Sequence, residues 1–404
     1  MLYRLKKAGY ESYLVGGGVR DLLLGGQPKD FDIATDALPE QVKALFGNSL
    51  IIGRRFRLVH VRFGREIIEV ATFRSHHEQA ENEGQGVMED GRILRDNVYG
   101  TLEEDAFRRD FTINALYYNI ADFSVVDYTG GMADLKARTL RMIGETAVRL
   151  QEDPVRMLRA VRFAAKLQFK FDASLQEQIE IQGQRLDLVP PARLFDEILK
   201  LFMSGYAELT FQLLTAHHLF SHLFAQTGEL ITAGNEYARQ FVLLALRNTD
   251  RRIMADKPVN PAFLFAALLW PAVRQRSELL LASGLGHLPS LLDAGREVIA
   301  QQLPQISIPK RFRQMMIDIW VFQARLTQRR GKRPVRLVSH PRFRAGYDFL
   351  LLRNEAGEEL QELCDWWTRF QEAGEGERHL MCKAFGGGPK RRRNKGADHT
   401  DEQA

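Results

Sequence analysis

Strand-like alternation of apolar and polar residues runs through the first 143 positions and then almost vanishes. That break constrains the fold more than any other feature of the chain. "FDIAT", "LVHVRF" and "EIIEVATF" alternate with period two and carry β-branched or aromatic residues, as half-buried strands do. "VRDLLL" and "PEQVKALF" carry an apolar stripe at helical spacing. From about residue 145 the pattern is that of amphipathic helices, for example "PVRMLRAVRFAAKL" and "PARLFDEILKLFMSG". The expected fold class is therefore α+β: an N-terminal head with a small mixed sheet and helices, an all-helical body, and a basic tail with little to bury. Boundaries are expected at 1–143 for the head, 144–205 for a helical neck, 206–382 for the body and 383–404 for a disordered tail. Residues 75–100, polar and rich in glycine, read as a mobile loop.

With 404 residues and 45% hydrophobic content, the chain can bury a large core. No stretch approaches the roughly 20 apolar residues of a membrane span. The most apolar run, "PAFLFAALLWPAV", is too short and contains Pro271. The N-terminus has no apolar signal core, and Cys364 and Cys382 lack metal-type spacing, so a reducing cytoplasm fits and both thiols read as inert. Charge is unevenly spread. Residues 383–395 hold six Lys/Arg and no acid, and residues 310–344 hold eleven against Asp318 alone, whereas the whole chain is only +5. Such a concentration suits a polyanion. A solubilising tail is the plainer reading of 383–404. In 310–344 the interleaved Phe312, Trp320, Phe322 and Phe343 favour nucleic acid, with Arg329, Arg330, Lys332 and Arg333, and Arg391, Arg392 and Arg393 in the tail, as the contact candidates.

Gly16, Gly17 and Gly18 join the apolar strand "YLV" to the helix "VRDLLLG". Glycines at such a turn let backbone N–H groups approach an anion at a helix start, and Arg20 can add a charge-assisted contact. The third glycine of a dinucleotide fingerprint would fall on Asp21, and no Gly-Lys-Ser/Thr follows, so neither of those phosphate motifs is present. A plain tight turn is the alternative.

Asp30 and Asp32 in "KDFDIAT" are two apart on an expected strand, which puts both carboxylates on one face. Their repulsion is costly without a cation, and hard oxygen donors suit Mg²⁺. A solvated strand end is the alternative. A two-metal site calls for a third carboxylate, and two candidates stand open: Glu69 in "EIIEVATF" and Asp110 in "RRDFTINALYY". In "EDPVRMLRAVR", Asp153 before Pro154 reads as a helix start. Arg156, Arg159 and Arg162 then follow at three-residue spacing, and an Asp with an Arg one turn away can read the edge of a base.

"LVGGGVRDLLLG…KDFDIAT", "RRDFTINALYYN", "DYTGGMADL" and "EDPVRMLRAVRFA" together resemble, in order and spacing, the motifs of class II template-independent nucleotidyltransferases. That family comprises bacterial poly(A) polymerases and CCA-adding enzymes. The resemblance covers about residues 10–205. It implies that the head is the nucleotidyltransferase domain and that Asp30 and Asp32 are the catalytic pair holding two Mg²⁺ ions. It further implies that the glycine loop with Arg20 and Asp21 holds the triphosphate of ATP, and that Arg109 and Asp110 form the nucleotide-contacting and catalytic motif. Asp153 and Arg156 fall where the family reads the incoming base, with Arg159 beside them. "IIGRRFRLVHVRFG" and the basic C-terminal region look like the poly(A) polymerase branch. The expectation is AMP addition to RNA 3′ ends; RNA-decay or RNA-chaperone proteins are implied as partners by resemblance alone. CCA addition to tRNA is the runner-up. A non-catalytic RNA-binding adaptor comes third, because an adaptor has no use for two adjacent acids facing RNA. His76-His77 and His217-His218 lack the aspartate of a phosphohydrolase centre and read as surface or packing residues.

Overall fold

A computed structural model describes residues 1–384 except 29, 54–56, 76–86, 90, 91, 96 and 97, with backbone alone for 87–89 and 92–95. The fold is α+β. Strands β1 (Ser12–Val15), β2 (Asp32–Thr35), β3 (Ser49–Ile52), β4 (Leu58–Phe63), β5 (Glu66–Thr72), β8 (Leu116–Asn119) and β9 (Val125–Asp127) form one sheet in the order β3-β4-β5-β2-β1-β8-β9. Between them, β6 (Val87–Glu89) and β7 (Arg92–Arg95) make a separate antiparallel pair inside the segment expected to be a loop. Most of 75–100 lies outside the described residues. Only β2 and β5 pair in parallel within the large sheet.

Alternation gives this sheet two unlike faces. One face carries Ile33, Val59, Val61 and Val70 against Leu5 and Val42 from the helices Leu2–Lys7 and Pro39–Leu45, and against Phe46 just after the second. The other carries Val15, Ala34 and Tyr117 against Leu102 and Ala106 of the helix Leu102–Arg108. Directly opposed residues share a face, so the register draws one row across that second face: Leu50, His60, Glu69, Asp32, Val15, Tyr117 and Val126. Its Val15 and Tyr117 end is buried, whereas Glu69 and Leu50 are exposed. Asp32 stands where cover gives way to solvent.

The chain clusters into two compact units. The first comprises 1–225 with 249–256 and 305–307, and the second 226–248, 257–304 and 308–404. Within the first, the helix Val155–Leu167 buries Val155, Leu158, Val161 and Phe163, and its Arg156, Arg159 and Arg162 are half-buried beside them. The second unit is helical among the described residues, and no described helix is long and apolar enough to cross a membrane. Its helix Lys310–Leu326 corrects the reading of the interleaved aromatics. Trp320 and Phe322 are fully buried and Phe343, on the helix Phe343–Glu355, nearly so, which makes these rings part of the core, while Phe312 is half-buried. Cys364 and Cys382 are buried in the same cluster, and burial pushes both thiols up, Cys364 to about 11. His217 packs on the Phe171 ring, 5.1 Å away, and His76-His77 lie outside the described residues.

Candidate active site

β2 begins only at Asp32, so the expected strand pair is corrected: Asp30 precedes the strand and is exposed. Its carbonyl oxygen lies 3.4 Å from where a Gly18 Cβ would stand, an ordinary contact distance. Gly16 has φ +74°, a backbone state that strains any residue with a side chain, and it turns the chain from β1 into the helix Gly17–Leu23. Arg109 Nη1 and an Asp32 carboxylate oxygen flank that turn, 3.6 and 3.9 Å from the position of a Gly16 Cβ. Burial, with Glu69 alongside and Asp30 nearby, pushes the Asp32 carboxyl up against the pull of Arg109.

The third-carboxylate candidates have unlike surroundings. Glu69 is the register neighbour of Asp32 on the same face, and its Oε1 lies 3.1 Å from His60 Nε2. Asp110 is enclosed by donors. Its Oδ1 accepts from the Phe111 N–H (2.9 Å) and Asn114 Nδ2 (3.2 Å), and its Oδ2 from Arg159 Nε (2.8 Å) and Nη2 (2.5 Å). Burial alone would raise the Asp110 carboxyl, but the Arg159 guanidinium and these hydrogen bonds hold it below the ordinary range. No group of three His, Cys, Asp or Glu side chains among the described residues is gathered tightly enough to cage an ion. A metal here would need substrate phosphates and water beside the carboxylates, which is how Mg²⁺ is usually held.

Arg109 is aimed by two residues that the sequence reading passed over. Its Nε donates to Tyr117 Oη (2.9 Å) and Nη2 to Asp105 Oδ2 (3.1 Å), while Tyr117 Oη donates to Asp105 Oδ2 (2.7 Å). Nη1 remains turned toward Gly16 and Asp32. Arg20 is only 2% exposed and differs from an open phosphate contact. Its Nε and Nη2 donate to Asp21 Oδ1, its Nη1 to Asn114 Oδ1, and its face lies over the Phe163 ring. Asp21 is also paired with Lys166, at 3.0 Å. Asn114 therefore links Arg20 to Asp110, and Asp110 links onward to Arg159 on the helix Val155–Leu167.

That helix starts one residue later than expected, with Pro154 at the cap position. Asp153 nevertheless accepts from the Val155 N–H at 3.2 Å and pairs with Arg193 at 2.7 Å. Arg156 donates to Glu152 and to the Arg149 carbonyl. Arg162, the third arginine of that row, lies over the Phe163 ring, its buried Nε without a hydrogen-bond partner among the described residues. Burial and the neighbouring Arg159 depress its pKa. Glu197 and Asp110 offset this in part, and the unsatisfied Nε leaves a donor that an anionic ligand could use.

In the second unit Arg329 pairs with Glu362 (2.9 Å) and Arg333 donates to Gln328. Arg330 and Lys332 are exposed and, with Arg378, His379 and Lys383, border a surface cavity of about 760 Å³. Arg391, Arg392 and Arg393 lie outside the described residues.

Three family models match the chain: "Poly A polymerase head domain" over 12–141, "Probable RNA and SrmB- binding site of polymerase A" over 168–230, and "Polymerase A arginine-rich C-terminus" over 283–398. The chain is 48% identical over 401 residues to poly(A) polymerase I of Salmonella typhimurium, covering 98% of this chain and 86% of that one. A CCA-adding enzyme of Lactobacillus helveticus is 37% identical over 213 residues, 53% of this chain and 51% of that one. Among solved structures, the CCA-adding enzyme of Bacillus stearothermophilus in complex with CTP superposes with a TM-score of 0.52 at 25% identity, covering 95% of each chain.

Proposed function

The chain belongs to the poly(A) polymerase family of template-independent nucleotidyltransferases, and from that premise we propose how its residues add AMP from ATP to RNA 3′ ends. The carrying observation is the half-buried Asp32 carboxylate, which stands between a glycine turn with an arginine on one side and Glu69 on the other.

Asp32, Asp30 and Glu69 are the groups that would hold two Mg²⁺ ions. The set is all oxygen, and the Asp32 carboxyl is raised first by burial and then by the neighbouring Glu69 and Asp30, against Arg109. When bound, the ions supply charge neutralisation on the phosphates. Glu69 fits the third position better than Asp110, whose oxygens already accept four N–H donors. Arg109 Nη1 and the N–H groups after Gly16 orient the triphosphate. Arg20 and Asp21 act behind them by bracing the turn, and Arg162 adds positive charge nearby. Asp153 and Arg156, beside Arg159, meet the incoming base. Residues 1–143 form the catalytic head, 144–205 the base-reading neck and 206–382 the RNA-binding body. Arg329, Arg330, Lys332 and Arg333 bind RNA with the tail 383–404, including Arg391, Arg392 and Arg393. We place the enzyme in the cytoplasm, in keeping with two buried unpaired thiols.

Poly(A) rather than CCA synthesis is favoured by the near full-length match to a poly(A) polymerase, against a match to about half of a CCA-adding enzyme. Primer extension decides between them. ATP alone should give a ladder of A on an unstructured RNA, with CTP at least tenfold poorer, the discrimination expected of one well-made polar base edge at ~1–3 kcal/mol. Extension confined to tRNA and stopping after CCA would assign the runner-up.

A further inference from the structure

We propose that the sheet face beyond Glu69, formed by Leu50, His60, Arg62 and Ile67, is the seat of the RNA primer's terminal nucleotide. This rests on the polyadenylation reading and identifies a surface that it leaves unused.

The first argument is the composition of the face. β3, β4 and β5 place Ile51, Val59, Val61, Ile68 and Val70 on the side covered by helices. The opposite side of an outer strand set is normally polar when water covers it. Here it carries Leu50 and Ile67, exposed at 55% and 46%, in the two rows that also hold His60, Glu69 and Arg62. The outward face thus mixes exposed apolar side chains with His60 and Arg62, and its row runs directly into the carboxylates. Arg62 is exposed and its guanidinium has no ion-pair partner among the described residues.

The second argument is the direction of the reaction. In nucleotidyl transfer the attacking hydroxyl and the departing pyrophosphate lie on opposite sides of the phosphorus. The triphosphate-holding groups, the Gly16 turn and Arg109, stand on the β1 and β8 side of Asp32. The incoming hydroxyl must then approach from the β5 side, across Glu69, and the nucleotide bearing it comes to rest on β4 and β3.

Chemistry fits the occupant. An unpaired terminal base offers a flat apolar surface to Leu50, Ile67 and the His60 ring, and its phosphate offers charge to Arg62. Stacking of this kind tolerates any base, as the end of a varied RNA requires. His60 and Arg62 of the strip lie in "IIGRRFRLVHVRFG", residues 51–64, with Leu50 just before it and Ile67 just after, and the catalytic reading does not use that segment.

The test uses the full chain carrying Leu50→Ser with Ile67→Ser, and separately Arg62→Gln. Both sites are exposed, so melting temperatures should match the wild type. The proposal expects the KM for an RNA oligonucleotide at saturating ATP to rise about tenfold or more in the double variant, in line with stacking losses of this kind, while the KM for ATP stays within about twofold. An oligonucleotide ending in 3′-deoxy-4-thiouridine should photocrosslink to peptides spanning 49–52 and 58–69. An unchanged primer KM, a parallel rise in the ATP KM, or crosslinks confined to other segments would overturn it. So would variants that lose only self-association, which would assign the strip to a second copy of the chain. A wild-type protein that extends no RNA with any nucleotide would instead bring down the polyadenylation reading itself.

Discussion

Replacing Asp110 by Asn should destabilise the first unit by about 3–5 kcal/mol, whereas Glu69→Gln should change stability by less than about 1 kcal/mol. The difference follows from the hydrogen bonds around each group. Asp110 accepts four N–H donors on two oxygens, two of them from Arg159. A carboxamide offers one oxygen. If that oxygen faces Arg159, the new NH₂ meets the Phe111 N–H and the Asn114 amide, which cannot turn over because Arg20 holds its oxygen. If it faces Phe111, the NH₂ meets a guanidinium. Either orientation sets donors against donors and leaves Arg159 a partly buried cation without its counter-charge. Glu69 is half exposed and would lose one contact to His60. Urea unfolding followed by a probe in the first unit measures both, and a thermal melt should fall by roughly 2–4 °C per kcal/mol for a unit of this size. The pH dependence has a definite sign. The Asp110 carboxyl is held below its unfolded value, so its contribution is present above the unfolded pKa and is lost as pH falls through the lower, folded one. The gap between wild type and Asp110→Asn should therefore close in acid. Activity completes the comparison, with Glu69→Gln losing orders of magnitude in turnover at wild-type stability. Wild-type stability in Asp110→Asn with complete loss of turnover would refute the reasoning, by moving Asp110 from a brace into the chemistry.

Asp32→Asn should abolish nucleotide addition and raise the melting temperature of metal-free protein slightly, because it removes one of three mutually repelling carboxylates; added Mg²⁺ should stabilise the wild type but not the variant. Tyr117→Phe should raise the KM for ATP with little change in the KM for RNA, since it frees Arg109 from one of its two anchors, and steady-state kinetics on each substrate measures the split. Arg330→Gln with Lys332→Gln should weaken RNA binding across sequences and lower the slope of log K against log salt by about 1–2; an unchanged slope would place the contacts elsewhere.

The strands of the head and the helices after residue 145 are legible in the sequence because their periodicities are local: each segment records in its own residues which face it buries. The glycine turn is legible for a similar reason, since short-range backbone geometry acts along the chain, whereas the spacing of the two aspartates did not show that the strand begins only at Asp32. What the sequence left open was long-range. Glu69 and Asp110 could not be ranked because their surroundings come from Asp32 and His60 in one case, and from Arg159, 49 positions away, in the other. Arg20 looked like a phosphate contact until Asn114, 94 positions on, was seen to hold it. Trp320, Phe322 and Phe343 looked like a nucleic-acid surface because aromatics among basic residues read the same whether they face a ligand or a core; packing alone decides which. Composition and spacing determine which elements form and which charges need a partner. The tertiary structure decides which partner each charge receives, because that depends on how strands far apart in sequence come into register.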